Sequence, residues 1–166
     1  MQIRILITGG TFDKEYNELN GTLTFHKTHV TEMLKQGRVK VPVKVEKIEM
    51  IDSLDMTQKD RLLILARCQK AREKSIVITH GTDTMVETAK VLGNNFAQKL
   101  KWKTVVLTGA MVPFSFGKSD GLLNLGCALA YAQALPAGIY VAMNGKYFLW
   151  NNVKKNKRKG IFECVK

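Results

Sequence analysis

Two short segments place hydroxyls, a carboxylate and glycines where a reaction could use them: Thr8-Gly9-Gly10-Thr11 and His80-Gly81-Thr82-Asp83-Thr84. Each follows a run of β-forming apolar residues, Ile5-Leu6-Ile7 in the first case and Ile76-Val77-Ile78 in the second. Threonine is a poor nucleophile until a neighbour takes its proton. A lysine amine can do so if desolvation or nearby positive charge lowers its pKa, and an adjacent aspartate can orient that amine. Taken singly, each segment has a plainer use. Thr8-Gly9-Gly10-Thr11 can be a tight strand-to-loop turn, and without the G-x-x-x-x-G-K spacing it is no P-loop. Thr82-Asp83-Thr84 can cap a helix. His80 reads as a hydrogen-bonded core residue, and with no second His or Cys at ligand spacing no metal is expected. Together, and with a surplus of lysines downstream, the two segments supply a hydroxyl nucleophile, a base and oxyanion donors.

Such groups need a scaffold that brings distant loops together. Residues 2–8, 43–50, 75–79, 103–108 and 138–143 read as strands, the second of them with a mixed pattern suited to a sheet edge or centre. Helical patterns fall between them at about 28–36, stopped by Gly37; 57–73, opened by the capping-box pair Thr57 and Asp60; 84–92, stopped by Gly93; and 119–135, stopped by Pro136. This alternation predicts an α/β fold: three layers, a mostly parallel sheet with helices on both faces. Asn20-Gly21 signals a two-residue turn, so residues 12–27 are expected as a β-hairpin flap after the first strand. In open α/β sheets ligands sit beyond the carboxyl ends of the strands. Asp52-Ser53 and Thr108-Gly109-Ala110 therefore join the two segments above at one edge.

The chain has 166 residues and 45% apolar content, with no internal repeat or linker, and is expected to form a single domain over 1–166. Its longest apolar runs are far shorter than the ~20 residues of a membrane span, and no signal-peptide pattern opens it. With three cysteines lacking C-x-x-C spacing, Cys68, Cys127 and Cys164, these features point to the cytoplasm and to reduced thiols. Net charge is +12, and residues 146–166 hold seven basic groups against Glu163 alone. The run Lys154-Lys155-Asn156-Lys157-Arg158-Lys159 could bind phosphates. Lacking any nucleic-acid module around it, the run reads instead as a solvated stretch, or as the source of one inward-turned catalytic lysine, and no nucleic-acid or membrane partner is expected.

Through Ile7-Thr8-Gly9-Gly10-Thr11 and His80-Gly81-Thr82-Asp83-Thr84-Met85 the chain resembles the bacterial-type L-asparaginase (asparaginase/glutaminase) family, in a short single-domain form. Further agreement lies in Asp52-Ser53-Leu54-Asp55-Met56-Thr57, Thr108-Gly109-Ala110-Met111-Val112-Pro113, Ser119-Asp120-Gly121 with Asn124-Leu125, and Met143-Asn144-Gly145. The resemblance implies the fold of that family's N-terminal domain and hydrolysis of the side-chain amide of L-asparagine, or of a related amide, through a threonine acyl-enzyme. It implies that Thr11 is the nucleophile and Tyr16, on the flap, its hydrogen-bond partner. Thr82, Asp83 and Lys155 would form a second threonine-acid-lysine group, Lys155 being placed by counting from Met143-Asn144, with Lys154 as its neighbour. Asp52 and Ser53 would grip the α-amino and α-carboxylate groups, Asp83 also facing the ammonium. Gly10, Gly81 and Ala110 would contribute backbone groups, and no cofactor is implied.

Family members usually carry a second, smaller C-terminal domain that completes a neighbouring subunit's site. A chain ending after the lysine loop is therefore expected to pair with itself as a homodimer or higher homo-oligomer. The alternative is a catalytically weak or inactive relative that acts as an amino-acid or polyanion binding module. The apolar tail 161–165 is expected to return as a strand or to line an interface.

Overall fold

The computed structural model describes residues 1–165. In chain order the elements are β1 (Ile3–Gly9), β2 (Lys14–Asn17), β3 (Thr22–Phe25), α1 (Val30–Gln36), β4 (Val43–Ile51), α2 (Gln58–Lys70), β5 (Ser75–Thr79) and α3 (Met85–Asn94). There follow β6 (Thr104–Thr108), α4 (Gly121–Ala134), β7 (Gly138–Met143), β8 (Lys146–Leu149), β9 (Lys154–Asn156) and β10 (Ile161–Glu163). The main sheet runs β4-β1-β5-β6-β7-β8. It is parallel throughout except for the antiparallel edge strand β8.

Period-two alternation divides the core between the two faces of this sheet. Leu6, Ile76, Ile78, Val105, Leu107 and Val141 pack against Ile64, Leu65, Met85 and Leu92 of α2 and α3. Ile3, Ile5, Ile7, Val77 and Val106 pack against Val30, Met33, Leu125 and Leu129 of α1 and α4. The three-layer expectation therefore holds. Each large aliphatic side chain that is fully buried contributes ~1.5–3 kcal/mol against exposure, which makes these strands the rigid part of the molecule. From β1 the chain moves outward to β4, then crosses back past β1 to β5. The sheet order thus reverses between β1 and β5, and a crevice opens at their carboxyl ends.

Several boundaries differ from expectation for identifiable reasons. Residues 18–21 form a four-residue loop, since Asn17 pairs with Thr22. Asn17 and Asn20 stabilise that longer loop by accepting the N–H groups of Leu19 and Thr22 at 3.0 and 3.1 Å. The two-residue Asn-Gly hairpin lies instead at Asn144-Gly145, both at positive φ, and it produces the sixth strand, β8. Gly93 does not stop α3. It lies inside the helix because a Cβ there would stand 2.1 Å from the Trp150 ring, and the chain continues into a wide turn over Phe96–Leu100. α1 starts at Val30 rather than 28, because Thr28 and Asp13 take up the N–H groups of Val30 and His29. Helix α2 ends at Lys70 rather than 73, where Ala71 turns extended, whereas its capping box is present as expected. The tail returns as β10 on β9.

Candidate functional site

Lys155 comes to the site on the β9–β10 hairpin, whose Phe162 pairs with Lys155 across the ladder and is buried in the core. That anchor turns one member of the lysine run inward. Lys155 Nζ donates to Thr82 Oγ1 and to Asp83 Oδ1, both at 2.8 Å. Its side chain is 11% exposed against 40% for Asp83. Lys154 points elsewhere, with Glu163 3.6 Å away. Thr82 and Asp83 do not serve as caps for α3: the N-cap residue is Thr84, whose hydroxyl donates to the Ser53 carbonyl at 2.7 Å.

Glycines let the loops touch. Gly10 adopts φ 83 and ψ −174, a conformation open essentially to glycine alone, and a Cβ there would fall 2.3 Å from the Gly81 nitrogen. A Cβ on Gly81 would meet Ser53 Oγ at 2.5 Å, and one on Gly109 would meet the His80 carbonyl at 2.5 Å. The loops after β1, β4, β5 and β6 therefore converge backbone to backbone at the point where the sheet order reverses. Thr8 and Thr108 lie just below and lock the strand ends, donating to Thr79 O at 2.9 Å and Ala142 O at 2.8 Å.

Thr11 opens the short turn Thr11–Asp13 that leads into the flap, and its hydroxyl makes no hydrogen bond among the described residues. Tyr16, on β2, is 60% exposed, and its hydroxyl lies beside Gly21 at the flap tip, so the structure does not join it to Thr11. Ser53 is buried with its hydroxyl unpartnered. Asp52 accepts the Leu54 N–H at 3.0 Å and is ion-paired with Lys14 of the flap. Burial pushes the Asp52 carboxyl up, but those two donors outweigh it and hold the group below the usual carboxylate range.

Ala110 is buried behind Gly109, and this loop is clasped by residues to which sequence reasoning gave no role. Asn124 donates to Gly109 O at 2.9 Å and to Asp120 at 2.8 Å, and accepts the Asn144 N–H at 2.9 Å. Asp120 in turn accepts the N–H groups of Met111 and Val112. The signal available was the pairing of Asp120 with Asn124 one helical turn apart, at the start of α4. Lys14 was likewise missed. His80 matches its plain reading: wholly buried, it contacts Gly81 O and Thr88 Oγ1 at 2.8 Å each, and burial drives its pKa down to about 4. Among the described residues no group of three His, Cys, Asp or Glu is placed to hold a metal ion.

Hydroxyls, a lysine-aspartate pair and backbone N–H groups are thus gathered at the crevice of a mostly parallel sheet. The family model described as Asparaginase, N-terminal, matches residues 2–162, and the chain belongs to the asparaginase family. An L-asparaginase of Thermococcus kodakarensis is 30% identical over 97% of this chain and 49% of its own length. A probable periplasmic L-asparaginase of Haemophilus influenzae is 34% identical over 96% of this chain and 47% of its own. The solved Thermococcus kodakarensis enzyme superposes with a TM-score of 0.84 at 29% identity, covering 99% of this chain and 51% of that one. A probable cytoplasmic L-asparaginase from Campylobacter jejuni gives 0.79 at 33% identity, covering 93% and 49%. The chain thus spans about half the length of the curated relatives it matches.

Proposed function

We propose that this chain carries a threonine amidohydrolase site that cleaves the side-chain amide of asparagine, or of a closely related amide, to the acid and ammonia. Thr11 Oγ attacks the carboxamide carbon while backbone N–H groups around Thr82 and Ala110 receive the oxyanion, and ammonia leaves with the proton lost by Thr11. Donors of that kind are typically worth ~3–4 kcal/mol each. Water then attacks the acyl-threonine, passing its proton through Thr82 to the neutral Lys155 amine; as the tetrahedral intermediate collapses that proton is returned to Thr11 Oγ, which regains its hydroxyl as the acid departs. Asp83 orients Lys155. Gly10 and Gly81 shape the floor, and Asp52, Ser53 and Asp83 line the end that holds the α-ammonium and α-carboxylate. None of these steps calls on a cofactor.

The observation that carries this reading is the pair of 2.8 Å contacts from Lys155 to Thr82 and Asp83, made from a hairpin more than 70 residues away along the chain. Ammonia release measured across asparagine, glutamine and other amides tests it. Activity is expected for at least one amide and is expected to vanish in Thr11→Ala and Lys155→Ala, whereas binding without turnover would refute hydrolysis.

One observation favours a non-catalytic binding module: Tyr16 stands exposed and away from Thr11. Closure of the site by a second copy in a homodimer or higher homo-oligomer answers it, since Tyr16, Leu23 and Leu54 expose apolar surface around the flap and the β4 loop. A mass measurement in solution, with and without asparagine, distinguishes the two. The reading keeps the protein, as one domain over 1–166, in the cytoplasm, and Cys68, Cys127 and Cys164 as free thiols are consistent with a reducing compartment.

A further inference from the structure

Lys14 lies outside every motif that marks the family, yet the flap delivers its ammonium to the site. The residue is held from three directions. Its Nζ is ion-paired with Asp52, stands 5.8 Å from the centroid of the Phe25 ring, and belongs to a residue whose carbonyl accepts the Ser115 hydroxyl at 2.9 Å. The side chain is only 19% exposed. An ammonium carries three N–H donors. Asp52 takes one, and among the described residues the other two have no acceptor.

Both oxygens of Asp52 are already engaged, Oδ1 by the Leu54 N–H and Oδ2 by Lys14, so its charge is largely committed to holding the lysine. Its neighbour Ser53 is 1% exposed and its hydroxyl has no partner. A fixed cation with two unused donors, paired with the residue that immediately precedes a buried unused hydroxyl in the chain, is suited to receive an anion. At Asp83 the balance is opposite: Oδ1 is engaged by Lys155, while Oδ2 has no partner among the described residues, which leaves an acceptor for a cation.

We propose that Lys14, with Ser53, receives the α-carboxylate of the substrate, that Asp52 acts by holding Lys14 in place, and that the substrate ammonium falls to Asp83. This rests on the amidohydrolase reading above and sharpens it, making a free carboxylate the feature that selects substrates. Asparagine and succinamate, which lacks the amine, both satisfy Lys14. 3-Aminopropanamide, which is asparagine without its carboxylate, does not.

The test follows ammonia release from these three amides, with calorimetric titration of L-aspartate, in the wild-type chain and in Lys14→Met, Lys14→Gln and Lys14→Arg. In Lys14→Met and Lys14→Gln the KM for asparagine and succinamate is expected to rise about tenfold or more, the loss of a charge-assisted contact, with kcat within about threefold. Aspartate is expected to bind weaker by the same factor. 3-Aminopropanamide is expected to be handled equally by all four proteins, and Lys14→Arg to retain most of the affinity. Equal loss on all three amides, or unchanged aspartate binding in folded Lys14→Gln, overturns the proposal. Lys14-dependent aspartate binding without ammonia release leaves the carboxylate receptor standing and removes the hydrolytic reading, whereas no binding and no release in the wild-type chain removes both.

Discussion

Replacing Lys155 by Met separates a catalytic lysine from a structural one. The substitution removes an amine that bonds Thr82 and Asp83 at 2.8 Å but keeps most of the apolar stem beside the hairpin. On the structural side the loss is small. Asp83 is 40% exposed, so water replaces the lost partner, and an ion pair of that exposure is worth about 1 kcal/mol or less. For a chain of this size that corresponds to a fall in Tm of ~2–4 °C. On the chemical side a positioned acid-base group contributes ~100- to 10,000-fold, or about 3–5 kcal/mol of barrier. Steady-state ammonia release should therefore drop by at least about two orders of magnitude while the thermal transition barely moves. If deacylation is the step that suffers most, a rapid burst of about one ammonia per chain precedes the slow phase. Retention of asparagine hydrolysis within about threefold, or a loss of activity that simply follows a collapse of the fold, refutes the assignment of Lys155.

Three further outcomes follow from the same geometry. Gly10→Ala should lose ~3 kcal/mol or more in urea titration, because its Cβ meets the Gly81 backbone at 2.3 Å in a conformation that glycine alone adopts; Gly117→Ala, at φ 79 with open space around it, should lose only ~1 kcal/mol. Asn124→Leu should cost ~2–4 kcal/mol, since Gly109 O and the Asn144 N–H lose their side-chain partner inside the fold, and should lower activity in the folded fraction by loosening the Ala110 loop. His80 titrates at about 4 when folded against 6.5 for the free side chain, so between those values the unfolded chain binds the extra proton. Its contribution is full above pH 6.5 and falls by about 3 kcal/mol as pH drops to 4. The raised Asp13 carboxyl works in the opposite sense, so the measurement is the difference in urea stability between wild type and His80→Gln at pH 7 and pH 4, in which the Asp13 part cancels. An unchanged pH dependence in the variant would show that the buried imidazole is not its source.

What was legible in the sequence follows from how local each feature is. Strands β5 and β7 were readable to the residue because both of their faces are buried and neither strand carries a charged residue. The edge strand β8 escaped notice because only Phe148 of its four residues is buried, leaving no alternation to detect. Strand β9 hid beneath its own charge: the run that read as solvated contains a three-residue ladder held by β10, and that ladder is what aims Lys155. The candidate site residues that follow β1 and β5 were visible because ligands sit at strand ends in this architecture. Lys14 with Asp52 was not, being a pairing of a flap strand with a distant loop that no periodicity couples. The glycines bridge these two kinds of information. Gly10, Gly81 and Gly109 take no part in the chemistry as side chains, yet each stands where any Cβ would push two loops apart. Thr11 and Lys155, drawn from opposite ends of the chain, can be brought to one crevice only where backbones approach that closely. The spacing of those glycines therefore specifies the site as firmly as the hydroxyls and the amine do, and a single methyl group added at Gly10 should disable it with every reactive residue still present.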